Sequence, residues 1–185
     1  PVLQVDTHAY TGGTWTQGPV TVDFANASAN LGTTSYEISS DGTNDESFTG
    51  TQYVFSNETK QTYYFRAISQ SGIISEQVTL KVQIDQTAPG GTIAFKENSF
   101  SNFVNTISFG LFFNETIDVT IAGEDVLSDV ANSGVATVEY QKVTTDSTYS
   151  AAGPWTTYEP FRISPDEQFV LYAQITDQAG NQAVI

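Results

Sequence analysis

The sequence predicts an all-β protein built as two sandwiches or barrels in tandem, and three observations predict it. No window sustains the 3.6-residue period of a helix. Short runs of alternating apolar and polar residues recur at intervals of about 8–12, separated by turn residues. A junction, Ile84-Asp85-Gln86-Thr87-Ala88-Pro89-Gly90-Gly91, divides the 185 residues near the middle, and similar segments lie on either side. Proline lacks an N–H for a sheet ladder and drives the residue before it towards extended geometry, so a strand should end there.

In the first half, Val2 to Val5 opens the series, and Val20, Val22 and Phe24 share one face of a strand. Tyr36 and Ile38 mark the next, closed by Ser40-Asp41-Gly42, and Tyr53-Val54-Phe55 another. Tyr63 to Ile68 is the most β-prone run and ends at Ser71-Gly72; Ser75 to Ile84 comes next, with Val78, Leu80, Val82 and Ile84 alternating with polar residues. The second half repeats this order. Ile117 to Ile121 matches the strand around Val20, Val135 to Tyr140 the one around Tyr36, and Phe169 to Ile175 the run from Tyr63, with Phe161 to Ile163 between. Aligning Gly180 with Gly72 makes Ile175 equivalent to Ala67. The expected core faces are Val20, Val22, Phe24, Phe65 and Ala67 in one unit, and Val119, Ile121, Leu171, Ala173 and Ile175 in the other. The domains expected are residues 1–87 and 88–185, a repeat of roughly 90 residues. After Gly180 only five residues remain, so the last strand of the second unit is expected to be truncated, begun at 181–185 and completed by another chain or left frayed.

Composition narrows the function classes. With no cysteine there is no disulfide framework and no thiolate chemistry, and the single histidine, His8, rules out a His-clustered metal site. The net charge of −15, from 21 acids against six bases, argues against nucleic acid and anionic lipid as partners. No apolar run approaches the roughly 18 residues of a membrane span, so this segment is not expected to insert in a membrane. A charged fraction of only 15% suits an extracellular β-protein, and the start at Pro1 suggests a piece of something longer. No phosphate loop, nucleophile elbow or HExxH helix is present, so the chain is expected not to be an enzyme.

Several motifs together carry a family resemblance. They are Asn132-Ser133-Gly134-Val135, Trp155-Thr-Thr-Tyr158-Glu-Pro-Phe161, and Thr176-Asp177-Gln178-Ala179-Gly180-Asn181 in the second half. Gly13-Thr14-Trp15, Ser39-Ser40-Asp41-Gly42, Tyr64 to Ser69 and Ile84-Asp85-x-x-Ala88-Pro89 carry it in the first. In order and spacing the chain resembles the immunoglobulin-like repeats of large bacterial surface proteins, Gram-positive ones especially. Gly123-Glu124-Asp125 departs from the family pattern by an insertion, Val126 to Ala131, ahead of the Ser-Gly pair. The resemblance implies two tandem immunoglobulin-like β-sandwiches and a non-catalytic stalk, spacer or adhesive segment, extracellular, with flanking repeats of the same protein as partners. The alternatives are a module that binds carbohydrate or a host protein and, behind it, an accessory to a glycan-active enzyme.

Two candidate sites emerge. The pole at which the chain enters an immunoglobulin-like unit carries the loops after its second and sixth strands, which in the second unit contain Glu124, Asp125, Asp129 and Asp177. With Asp85 on the junction, these acids are expected to meet at the interface of the two units, with Asp45, Glu46 or Glu58 approaching from the other side. Carboxylates that gather repel one another unless a cation sits between them, and hard oxygen donors suit calcium. Asp85, Asp125, Asp129 and Asp177 are therefore the candidate Ca2+ ligands; the competing reading is that they are solvated acids. Trp15, Trp155 and Tyr158 are the candidates for stacking on sugar rings, with Trp155 and Tyr158 chosen as the ligand-binding pair; the competing reading packs Trp155 and Phe161 in the core. Asn26, Asn57 and Asn114 head glycosylation sequons.

Overall fold

The computed structural model describes residues 3–26, 33–43, 45–97, 102–103, 116–125, 130–164 and 167–185. Those residues form strands and turns only, with no helix among them. The chain divides into two compact units, Pro1–Gln86 with Asp129–Asn132, and Thr87–Ser128 with Ser133–Ile185.

In the first unit the strands are β1 (Leu3–Thr7), β2 (Trp15–Thr16), β3 (Val20–Asn26), β4 (Thr33–Ser39), β5 (Glu46–Phe48), β6 (Gln52–Phe55), β7 (Thr59–Ser69) and β8 (Val78–Ile84). They make a three-stranded sheet, β1-β3-β6, and a five-stranded one, β2-β8-β7-β4-β5. Alternation along each strand turns one apolar face inward. Val20, Val22 and Phe24 from one sheet meet Tyr36, Ile38, Phe65, Ala67, Val82 and Ile84 from the other, all buried. Phe24 lies 5.2 Å from Phe65 and 5.1 Å from Tyr36 between ring centroids. This strand order is that of an immunoglobulin-like sandwich. The short strand β2, which the sequence pattern does not mark, runs parallel to β8, pairing Trp15 with Gln83 and Thr16 with Ile84.

The second unit contains β9 (Gly90–Glu97), β10 (Asn102–Phe103), β11 (Ile117–Glu124), β12 (Val135–Val143), β13 (Thr156–Thr157), β14 (Phe161–Ile163), β15 (Val170–Asp177) and β16 (Gln182–Val184). Its sheets are β10-β9-β11-β14 and β13-β12-β15-β16, again an immunoglobulin-like order. Ile117, Val119, Ile121, Ile163, Leu171 and Ala173 form its core, with Phe161 and Tyr158 packed against it. Ile175 is fully buried and sits over two glycines: a Cβ on Gly91 would come within 2.6 Å of its Cδ1, and one on Gly123 within 3.0 Å of its Cγ2.

The repeat extends to detail. A β-bulge interrupts the β4–β7 pairing between Thr33 and Ser35 and the β12–β15 pairing between Val135 and Thr137. Counting from the bulge makes Ser69 equivalent to Asp177, Ala67 to Ile175 and Phe65 to Ala173. The last strand is begun: β16 pairs antiparallel with β15, and Ile185 exchanges two backbone hydrogen bonds with Ala173, each 2.9 Å.

Candidate functional site

The pole at which the chain enters the second unit is built by two loops. Asp125 directly succeeds the last residue of β11, and Asp177 ends β15 opposite Val135, the first residue of β12. Both acids are buried, at 6% and 2% exposure. Asp125 Oδ2 accepts the Gly134 N–H at 2.5 Å and the Ser133 hydroxyl at 3.4 Å. Gly134 presents that N–H from a left-handed conformation, φ +84°, which favours glycine. Asp177 Oδ1 accepts the Asn181 N–H at 2.8 Å, and its Oδ2 accepts the Asn181 side-chain amide at 2.7 Å. The two loops are also stapled to each other: Gln178 N–H donates to the Gly134 carbonyl at 2.9 Å and Ala179 N–H to Ser133 Oγ at 3.3 Å.

The Ser-Gly and Thr-Asp-x-Ala-Gly-Asn motifs thus have a structural role. Short acid and hydroxyl side chains satisfy backbone donors at strand ends that lie away from water. The same pole brings Asp125 and Asp177 together, with a carboxylate oxygen of one within 4.8 Å of an oxygen of the other. Two carboxylates that close repel one another when both are ionised. The amide donors around them offset part of that.

Asp85 lies in the first unit one residue beyond β8; it is fully buried, and its N–H donates to the Thr16 carbonyl at 3.0 Å. Asp129 falls outside the described residues, as do parts of the sequons at Asn26 and Asn114. Asp45 is engaged by the Arg66 guanidinium at 3.0 Å, and Glu58 accepts the Gln86 N–H at 3.1 Å.

Trp155 and Tyr158 stand in different surroundings. Tyr158, partly buried, packs against the core, and its hydroxyl donates to the Val119 carbonyl at 3.3 Å. Trp155 is not in that core; its centroid lies 5.8 Å from Tyr149, which lies 5.0 Å from Tyr172. Tyr172 alternates with the buried Leu171 and Ala173, which puts this aromatic group on the outer face of the β13-β12-β15-β16 sheet. Sequence reasoning missed this group because its parts come from a loop and a distant strand. Gln141 positions the loop: its Oε1 accepts the Ser150 N–H at 2.7 Å, and its Nε2 donates to the carbonyls of Ser150 and Pro154 at 3.3 and 3.2 Å.

No protein-family model matches the chain, and no curated protein matches it. Among solved structures, the fibronectin(III)-like modules of Clostridium thermocellum CbhA are similar to it at 13% identity, over 98% of this chain and 90% of that one, with a TM-score of 0.38. The strand order within each unit, rather than that likeness, carries the fold.

Proposed function

We propose that the chain is a non-catalytic spacer of a bacterial cell-surface or secreted protein, extracellular, holding flanking repeats apart. The observation that supports this most is the path of the chain through the first unit. Leu3 pairs with Asn26 at the end of β3, at the pole that also holds the Thr33–Ser69 pair. Ile84 pairs with Thr59 at the other end of β7. The chain enters at one pole and leaves at the other, so the unit separates its two neighbours in the chain by its own length. The strand near its exit is clamped: β2 runs parallel to β8, Gly13 N–H donates to the Lys81 carbonyl at 2.9 Å, and Asp85 N–H to Thr16. Tension between the ends loads those bonds together in shear rather than one at a time. Stretching the full chain by its ends tests this: two separate unfolding events are expected, each releasing on the order of 250–300 Å of chain. A single featureless extension would sink the reading.

The close pairing of Asp125 and Asp177 supports one addition, that calcium binds at the pole where the chain enters the second unit. Hard carboxylate oxygens are the donors calcium takes.

A further inference from the structure

The aromatic group on the outer face of the second unit has no part in a spacer. Tyr149 is 38% exposed, and Trp155 and Tyr172 are half-buried. Tyr149 stands between the other two rings, 5.8 Å from Trp155 and 5.0 Å from Tyr172, and is tilted by 47° and 54° to them. Beside Tyr172 the same face carries Gln174 and Thr176, with Gln174 Nε2 donating to Gln182 Oε1 at 3.2 Å. The loop that delivers Tyr149 and Trp155 is fixed by the three hydrogen bonds of Gln141 and by Trp155 Nε1–H donating to the Ala151 carbonyl at 3.4 Å. An open hollow of about 490 Å³ beside that loop is lined in part by Thr148, Ser150 and Thr156.

We propose that this face binds an uncharged glycan chain, with Tyr149, Trp155 and Tyr172 as the stacking platform. The chemistry fits in three ways. Aromatic rings offer apolar faces to the C–H side of a pyranose, while amide and hydroxyl groups alongside match its rim of hydroxyls. Successive tilts between the rings suit a chain that twists from one sugar to the next. A net charge of −15 disfavours sulfated or uronic-acid polymers and leaves neutral ones. Because the loop is tied down before any ligand arrives, little ordering cost falls on binding.

Affinity electrophoresis of the full chain in gels containing hydroxyethylcellulose, mixed-linkage β-glucan, galactomannan or arabinoxylan, with polygalacturonate as the anionic control, tests the proposal. Retardation in at least one neutral gel and none in polygalacturonate is expected. Trp155→Ala and Tyr149→Ala should each weaken it at least tenfold, while Trp15→Phe leaves it intact and lets the fluorescence of Trp155 report the sugar directly. Tyr149→Ala removes the most exposed ring and serves if Trp155→Ala fails to fold. No retardation in any neutral gel would overturn the proposal, as would retardation that survives Tyr149→Ala in a protein with unchanged circular dichroism. The spacer reading stands apart from either result.

Discussion

Ser69 and Asp177 do the same work at the same position in their two units. Each ends the long strand before a four-residue turn; each backbone N–H donates to the carbonyl of the residue four further on, Ile73 at 2.9 Å and Asn181 at 3.1 Å. Each side-chain oxygen accepts that residue's N–H, at 3.0 Å for Ser69 and 2.8 Å for Asp177. A hydroxyl suffices for this backbone bond, so the second carboxylate oxygen of Asp177, which accepts the Asn181 side-chain amide at 2.7 Å, is additional to it.

Asp177→Ser should therefore cost little, under about 1 kcal/mol, while Asp177→Ala, which leaves both part-buried Asn181 donors unmet, costs about 2 kcal/mol. Chemical denaturation of the second unit measures both. Equal losses in the two variants would mean that the carboxylate, rather than the shared turn, holds the loop.

The two cores exchange an aromatic ring across the sheet. In the first unit Phe65 on β7 faces Ile38 on β4; in the second Ala173 on β15 faces Tyr140 on β12. Phe65→Ala should cost about 3–5 kcal/mol through the cavity it leaves. Ala173→Phe should overpack its unit by about 1–3 kcal/mol, and adding Tyr140→Ile should return part of that loss. A double variant no better than Ala173→Phe alone would show that the pair is not coupled.

Gly91 is predicted to be intolerant of a side chain. Its Cβ would lie 2.6 Å from the Ala122 carbonyl oxygen as well as from Ile175, whereas one on Gly18 meets nothing closer than Thr16 Oγ1 at 4.0 Å. Gly91→Ala should lower stability by about 1–3 kcal/mol and Gly18→Ala by less than about 0.5. The comparison is made by thermal unfolding.

The strands that alternate over a buried face were legible in the sequence, because one side of Val20 to Phe24 or Leu171 to Ile175 has only one place to go. Strand β2 was not, since two residues carry no period; nor was β9, where Gly90 and Gly91 gave the junction its breaker character while also opening a strand under Ile175. Asp125 and Asp177 could be singled out as loop acids by motif, but not their amide partners. The side to which Trp155 turns was not legible either, because a tryptophan between turn residues reads the same whether it packs inward or on Tyr149. Only the Gln141 bonds, which link residues nine and thirteen positions away, decide it.

Calcium should raise the melting temperature of the second unit if Asp125 and Asp177 bind it, since a ligand that binds only the folded state stabilises it. The shift should vanish in Asp125→Asn with Asp177→Asn. Identical melting in calcium and in chelator would remove the metal and leave two acids that only fasten their loops.

The most direct test of the spacer account is the force at which the first unit yields when pulled by its ends, with and without the Tyr10 hydroxyl. That hydroxyl lies 2.9 Å from the Thr14 carbonyl and 3.0 Å from the Lys81 carbonyl, and accepts the Gln83 N–H at 3.0 Å, fastening the segment before β2 to β8. The account predicts that Tyr10→Phe lowers the unfolding force of the first unit and leaves that of the second unchanged. An unfolding force for the first unit that does not move with Tyr10→Phe would contradict it.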